Sequence, residues 1–538
     1  MRPAAQAIPG RYEKVLALSI AALALLIHLP LIDLPFERDE GEYAYIAWRM
    51  DFGEVPYLDW FDQKAPGIFW AYRLALALPG DPVTAVHGVA ALFSACSAAA
   101  LFLLALRLVG AAPAAVGAAL FAWISADPLI QGTAANTEIF MLLPIILANL
   151  LFLQVVEEAR PPPLRTLLVG LLVGLGVAFK QVAAVNAVFF LLAYPLLARG
   201  QRRPARLARF VGWTALGVAL VWLPILASFQ ARGALEAMID ATFLHNLSYV
   251  GGSSLSTRIE NLVETLAVLR RSQGVAWVLG LVGFVFLARG GRYRSALYLG
   301  GWALFSAVGV SASGQFFPHY FQQLLPPIAI AAGVAVKEIH DAPEWGRVPS
   351  WIRKTVMGGI AFAPPAAIAV SFWLMSPTAA VRQIFPGNNF DMMPAVAQEI
   401  ASVTAPDDTV FIFGAEPEIL FYAQRRSASR YIYLFPLFGP WPDALDRQRQ
   451  VAQEVLEASP AAILFMPNAS FFAEGNEQYL TRWLKEYVEE DYRLHATVGA
   501  GETAQTAIQR IEGGAPRMLE GKTPYGLIFV RSLPTPSD

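Results

Sequence analysis

The chain has 538 residues, of which 56% are hydrophobic, 12% aromatic and only 15% charged, and its mean hydropathy is +0.46. This composition excludes an ordinary soluble domain and implies a polytopic membrane protein. A formal net charge of −2 argues against nucleic acid as a partner, and the single cysteine, Cys96, excludes a disulfide framework or a cysteine-based metal site.

In chain order, Arg2, Arg11 and Lys14 precede an apolar run from Val15 to Leu34. The run is too long for the core of a signal peptide and lacks a convincing small-x-small cleavage site, so it reads as a retained signal anchor. A spanning helix needs about 20 mostly apolar residues, because in hydrocarbon every backbone polar group must be bonded internally. Further spans are expected at roughly 83–108, 111–127, 139–156, 166–179, 182–198, 210–229, 275–288, 295–312, 321–337 and 355–376. The fold class predicted is a polytopic α-helical membrane protein of about 11 to 13 transmembrane helices.

Basic residues in short loops set the orientation. Arg107, Arg160 and Arg165, "RGQRRPARLAR" at 199–209, "RGGRYR" at 289–294 and the segment from Lys337 to Lys354 share the inner side with the N-terminus, whereas 126–138 and 311–320 contain no Lys or Arg. The outer side then receives the loop 35–82, the loop 230–273 and the tail 377–538. The tail exchanges long apolar runs for short strand-like ones, "TVFIFG" at 409–414, "ASRYIYL" at 428–434, "AAILFMP" at 461–467 and "GLIFVRS" at 526–532. Helical patterns at 443–458 and 478–492 lie between them. Two domains are expected: a transmembrane catalytic domain over 1–376 and a soluble extracytoplasmic α/β domain over 377–538. No GxGxxG fingerprint surrounds Gly414, so a dinucleotide site is not expected there.

The loop 35–82 carries the chemistry. Between Glu37 and Lys64 stand eight carboxylates (Glu37, Asp39, Glu40, Glu42, Asp51, Glu54, Asp59, Asp62) against three cations (Arg38, Arg49, Lys64). A charge run is ordinarily a solvated surface. Here "EYAYIAWRM" at 42–50 interleaves charge with aromatic residues, as in an amphipathic helix lying in the membrane interface, and "FDQKAPGIFWAYRLALALPG" at 61–80 repeats the arrangement. Asp39 and Glu40 are thus expected at the water–lipid boundary. That position suits a lipid-linked reactant whose reacting bond stands just outside the bilayer: a carboxylate can take a proton from an acceptor hydroxyl, and a cation can hold a phosphate leaving group. Asp39 and Lys64 are the obvious pair.

The stretch "RDEGEYAYIAWRM…GEVPYLDWFDQKAPG", with "NTEIFMLLP" at 136–144 and "HYFQQLLPP" at 319–327, resembles the GT-C superfamily of membrane glycosyltransferases. The similar group is the dolichyl-phosphate-mannose-protein mannosyltransferase type, which includes the bacterial aminoarabinose transferase of lipid A. The resemblance implies an inverting transfer of a hexosyl or pentosyl group from a polyprenyl- or dolichyl-phosphate sugar at the outer face of the membrane. It implies that Asp39 is the general base or organises the acceptor, that Glu138 is the second carboxylate with Glu40 in support, and that Lys64 contacts the lipid phosphate. The chain departs from the aminoarabinose branch at Gln63, where that branch has Glu, with Asp62 one residue earlier.

Other candidates stand at outer helix ends. His319 and Tyr320, and Arg270 and Arg271, which run against the positive-inside trend, are candidate donor-phosphate contacts, with headgroup snorkelling as the plain alternative for the arginines. His245 is a candidate substrate-loop residue beside the flexible "GGSS" at 251–254. Lys180 and Gln181 form either a phosphate contact or a simple turn. Asn246-Leu-Ser and Asn468-Ala-Ser match glycan acceptors by pattern alone. No metal-binding spacing occurs, so a divalent cation on Asp39 and Glu138 requires tertiary proximity. The expected partners are a polyprenyl-phosphate sugar donor, a lipid, glycan or protein acceptor and membrane lipids, in a bacterial inner membrane with the active site and tail on the periplasmic side. A transporter or lipid flippase is the alternative; it would place ionisable residues and broken helices at the midplane. A non-catalytic scaffold is a third reading.

Overall fold

A computed structural model describes residues 10–158, 162–198, 204–247, 254–438, 441–466, 478–499, 507–511 and 524–532. Arg160, residues 199–203 of the basic stretch, Gly251 to Ser253 of the "GGSS" turn and the Asn468 pattern lie outside these residues.

Helices occupy each of the eleven positions where the hydropathy predicts spans. In chain order they are α1 (Arg11–His28), α4 (Pro82–Val109), α5 (Ala111–Ser125), α6 (Thr137–Glu157), α7 (Pro163–Phe179), α8 (Ala184–Leu197), α9 (Pro204–Ala231), α11 (Leu255–Arg289), α12 (Tyr293–Ser311), α13 (Leu325–His340) and α14 (Ser350–Trp373). Between them stand α2 (Arg38–Arg49), α3 (Gly67–Leu76) and the short α10 (Leu235–Ile239). Among the described residues, six helices are long and apolar enough to cross a membrane unaided: α1, α4, α6, α9, α11 and α14. The expected span at 275–288 is the second half of a 35-residue helix, because Ser254 caps it by accepting the Thr257 N–H at 3.2 Å and no Gly or Pro interrupts the chain before Gly274.

Residues from every connection expected on the outer side meet at one end of the bundle. Gln181 Nε2 and Asn246 Nδ2 donate to the Gln63 carbonyl at 3.0 and 2.8 Å, Tyr72 Oη donates to the Ala135 carbonyl at 3.0 Å, and His319 meets Gln131. The tail packs on this end through α15 (Pro377–Ile384), α16 (Met393–Ser402), α17 (Glu418–Ala423), α18 (Ala444–Ala458) and α19 (Tyr479–Asp491) with a mixed six-stranded sheet. Its strands are β1 (Thr409–Phe413), β2 (Arg426–Ser427), β3 (Ala462–Phe465), β4 (Tyr492–Val498), β5 (Ile508–Arg510) and β6 (Gly526–Arg531), in the order β2-β1-β3-β6-β4-β5. β1 runs parallel to β2 and β3, with Phe411 opposite Ile463; β6 reverses the direction, and β4 and β5 continue antiparallel.

Two expectations need correction. "ASRYIYL" forms no strand beyond Ser427, because its aromatic side chains are drawn into the contact with the 35–66 loop: Tyr431 packs on Phe61 at 5.2 Å between ring centroids. The helix expected to lie in the membrane interface is α2, and it is enclosed by protein. Tyr43, Ala44, Tyr45, Ile46 and Ala47 are all fully buried. Its polar groups and those of its loop are bonded by the tail: the Phe36 N–H donates to Tyr422 Oη and the Ser427 N–H to Tyr45 Oη, both at 2.8 Å, and Arg426 Nε donates to Glu54 Oε1 at 3.0 Å. Gly41 makes this docking feasible, since a Cβ there would lie 2.2 Å from Glu418 Cβ and 2.4 Å from its Cα.

Candidate active site

The start of α2 is held from below. Glu40 closes the first turn by accepting the Glu37 N–H at 3.1 Å, then accepts the Ala135 N–H at 2.6 Å and pairs with His87 of α4 at 2.8 Å. With only 2% of its surface exposed, Glu40 anchors the helix and does not line the cavity onto which the neighbouring Asp39 opens. Successive residues at a helix start point in different directions, so the buried Glu40 aims Asp39 outward.

Asp39 opens onto a cavity of about 280 Å³ at the junction of the bundle end and the tail. Lys64 Nζ lies 2.8 Å from Asp39 Oδ2 and donates to Tyr43 Oη at 2.9 Å; Tyr43 in turn donates to Asp39 Oδ2 at 3.3 Å. Lys64 is positioned by its own backbone: the N–H donates to Asp62 Oδ1 at 2.8 Å and the carbonyl accepts from Tyr57 Oη at 2.8 Å. The pair is partly exposed, 27% for Asp39 and 17% for Lys64, which leaves it reachable from the cavity. Burial opposes ionisation of Asp39, but the Lys64 ammonium, with His319 and Arg38 beyond it, outweighs burial and holds the carboxyl at about 2. Burial also pushes Glu37 up to about 8, Asp62 to about 6 and Glu42 well above the carboxylate range, each reinforced by carboxylate neighbours. Asp39 is therefore firmly ionised beside Glu37, Glu42 and Asp62, which resist ionisation.

Beside this pair is a second one. Glu138, fully buried in the first turn of α6, is bonded to the Lys180 ammonium, and the Thr137 hydroxyl donates to Glu138 Oε2 at 2.9 Å. Lys180 also lies 3.9 Å over the ring of Tyr320, a wall of the cavity. His319 and Tyr320 both line the cavity. Burial and the cations Lys180 and Lys64 lower the His319 imidazole to about 4, against the pull of Glu138 and Asp39, so it is neutral at physiological pH.

Three expected residues are elsewhere. Arg270 and Arg271 are exposed on α11; Arg270 borders a separate apolar groove with Leu266 and Trp277, because their helix turn points outward. His245 is buried between Phe61 and Trp441, its Nδ1 3.2 Å from Arg447, and does not line the Asp39 cavity. The structure adds residues that carried no sequence signal. Arg38 donates to the Ala415 carbonyl and, at 3.1 Å, to Asn388 Oδ1, tying the cavity floor to the tail; Gln131, Tyr433 and Phe435 complete the walls.

The donor set does not fit a divalent cation on Asp39 and Glu138, since each carboxylate is bonded to a lysine ammonium where the ion would stand. Among the described residues no group of three or more His, Cys, Asp or Glu side chains converges on a metal position.

Residues 63–228 match the profile of the dolichyl-phosphate-mannose-protein mannosyltransferase family. No curated protein matches the chain in sequence. Solved structures are similar in fold at low identity. ArnT from Cupriavidus metallidurans bound to undecaprenyl phosphate superposes with a TM-score of 0.57 at 16% identity, covering 86% of this chain and 94% of that one. The archaeal oligosaccharyltransferase AglB from Archaeoglobus fulgidus, in complex with an inhibitory peptide and a dolichol-phosphate, gives 0.56 at 14%, covering 97% and 77%. The arabinofuranosyltransferase AftD from Mycobacteria gives 0.53 at 16%, covering 98% of this chain and 40% of the larger one. The chain therefore shares its fold with ArnT, AglB and AftD and, across residues 63–228, matches the sequence pattern of the dolichyl-phosphate-mannose-protein mannosyltransferase family.

Proposed function

We propose that this chain is an inverting glycosyltransferase that moves a hexosyl or pentosyl group from a polyprenyl-phosphate donor to a lipid, polysaccharide or protein acceptor. The observation that carries this reading is the Asp39–Lys64 pair, an ionised carboxylate and an ammonium 2.8 Å apart in a cavity at one end of the helical bundle. A phosphate arriving beside Lys64 competes with Asp39 for the ammonium, and Lys180 supplies a second positive charge behind the Tyr320 wall. Asp39, freed from part of its ion pair, orients the acceptor hydroxyl; a carboxyl held at about 2 is a better hydrogen-bond acceptor than proton acceptor. In the transfer, the acceptor oxygen forms its bond to the anomeric carbon on the face opposite the phosphate. The bond from that carbon to the phosphate oxygen breaks, its electron pair leaves on the lipid phosphate, and the hydroxyl proton passes to a base. ArnT and AglB, which share the fold, have been solved with undecaprenyl phosphate and with a dolichol-phosphate.

The tail supplies Asn388, Tyr433 and Phe435 to the cavity, and we assign it the role of an acceptor wall over a transmembrane domain ending near residue 376. The Lys and Arg of the inner loops support an orientation with the cavity on the outer, periplasmic side, and the strongly apolar, Ala- and Arg-rich composition supports a bacterial inner membrane. No step passes through a metal, because the lysines hold the two candidate ligands.

Purified protein incubated with a panel of undecaprenyl-phosphate sugars and membrane extract should release undecaprenyl phosphate, detected by mass spectrometry, from at least one donor. Release from none would overturn the reading in favour of a transporter.

A further inference from the structure

The cavity contains a proton acceptor that neither ion pair uses. His319 stands in the short helical turn Pro318–Leu324 before α13, 9% exposed, with its ring fixed on three sides. Phe317 stacks on it at 5.9 Å with 13° between planes, Tyr320 meets it edge-on at 4.9 Å, and Nδ1 lies 2.6 Å from Gln131 Oε1. An amide oxygen can only accept, so Nδ1 carries the ring proton and Nε2 is left with a free lone pair. Among the described residues no group hydrogen-bonds Nε2, and it is not one of the buried unpartnered atoms, so it keeps its access to the cavity that His319 lines.

Gln131 is held for this contact at a conformational cost. It adopts a left-handed backbone, φ +57°, where a non-glycine residue is uncommon, and so does Phe316, φ +53°, three residues before His319. The Gln131 N–H closes the turn on Pro128 O at 2.9 Å, which fixes the backbone from which the side chain reaches the imidazole. Two of the five left-handed non-glycine residues of the described chain are thus Gln131, which meets the ring, and Phe316, three residues before His319 in sequence.

We propose that His319, oriented by Gln131, is the base that removes the proton from the attacking acceptor hydroxyl, an assignment that rests on the glycosyl transfer proposed above. In the step, the hydroxyl O–H bond breaks and its proton bonds to Nε2 as the oxygen bonds to the anomeric carbon; the phosphate departs with the electron pair of the broken bond, and the imidazolium later returns its proton to water. The charged groups facing the ring are Asp39 of α2, Lys64 of the following loop, Glu138 of α6 and Lys180 between α7 and α8. Burial first, with the two lysines adding to it, keeps the ring neutral before substrate binds, and a phosphate placed between the lysines offsets their part and makes the imidazole a better base as the donor arrives.

The test has two arms. In ¹⁵N-histidine NMR of the full-length protein, assigned by comparison with His319→Asn, His319 should show Nδ1 protonated and Nε2 bare; the opposite tautomer overturns the proposal. With whichever undecaprenyl-phosphate sugar wild type turns over in membrane extract, His319→Asn should lower apparent kcat at least 100-fold while donor KM stays within about twofold, as expected for loss of a general base. If His319→Asn fails to fold by thermal melt, Gln131→Met, which retains the imidazole, carries the arm: kcat should fall about tenfold with a shifted acid limb of the pH profile. Unchanged kcat, or a loss confined to donor KM, overturns the assignment and leaves the transfer reading standing. Absence of release by wild type from every donor overturns both.

Discussion

Lys64 Nζ and Asp39 Oδ2 lie 2.8 Å apart across 25 residues of chain, and Tyr43 bonds to both. The Lys64 ammonium lines the cavity, so Lys64→Gln should lower kcat/KM for a polyprenyl-phosphate donor by about 10²- to 10³-fold, the usual effect of removing one charge-stabilising donor. Lys64→Arg should restore only part, because the planar guanidinium cannot reproduce a point contact held by Asp39 and Tyr43 together. Steady-state kinetics of the three proteins check this.

The Glu138–Lys180 pair is the more buried, with Glu138 fully enclosed and Lys180 12% exposed. Glu138→Gln leaves an ammonium without its counter-charge and should destabilise the protein by about 3–5 kcal/mol. The double variant Glu138→Gln with Lys180→Met should recover much of that loss, because no buried charge is then uncompensated. Unfolding in detergent measures both; equal stability of wild type and Glu138→Gln would contradict the pairing.

Glu37 gives the site a pH dependence with a definite sign. Burial, with Asp39 and Glu40 nearby, raises its carboxyl from 4.5 to about 8. The folded state binds that proton more tightly than the unfolded chain, so the contribution to stability is complete below pH 4.5 and disappears as pH rises through about 8. Thermal stability of wild type should decline across that window, and Glu37→Gln should flatten the decline. An unchanged slope in the variant would assign the effect to another group.

Docking of the tail on α2 depends on a missing side chain. Gly41→Ala places a Cβ within 2.6 Å of three Glu418 atoms, two of them backbone, which cannot rotate away. The overpacking should cost about 1–3 kcal/mol and loosen the tail. Limited proteolysis between residues 377 and 409 should then accelerate, and activity should fall with it because Tyr433 and Phe435 leave the cavity.

The helices at the expected spans and the pairing of Asp39 with Lys64 were legible in the sequence for simple reasons. Apolar runs of membrane length carry their own signal, and Asp39 and Lys64 stand in a dense charge cluster that is conspicuous in so apolar a chain. What was not legible depends on side-chain direction. Arg270 and Arg271 were notable as cations on the outer side, but on a 35-residue helix the turn that faces the cavity cannot be read without its neighbours. Glu40 and Asp39 are adjacent in sequence but lie in different surroundings, because one points to the buried His87 and the other to Lys64 at the cavity. Gln131, Arg38 and Asn388 are polar residues without characteristic spacing, and β4 and β5 are strands too polar for the apolar pattern that revealed β1, β3 and β6. The same ambiguity placed α2 against lipid: amphipathic composition fits a membrane surface or a protein one, and the tail provides the latter.

The central claim is tested most directly by comparing wild type with Asp39→Asn, nearly isosteric but without the charge that holds Lys64 and orients the acceptor. Both are incubated with undecaprenyl-phosphate sugars and membrane extract, released undecaprenyl phosphate is quantified by mass spectrometry, and thermal melting confirms the fold. The account predicts release by wild type and at least a 100-fold loss in Asp39→Asn with the fold intact. Equal release by the two proteins would contradict it.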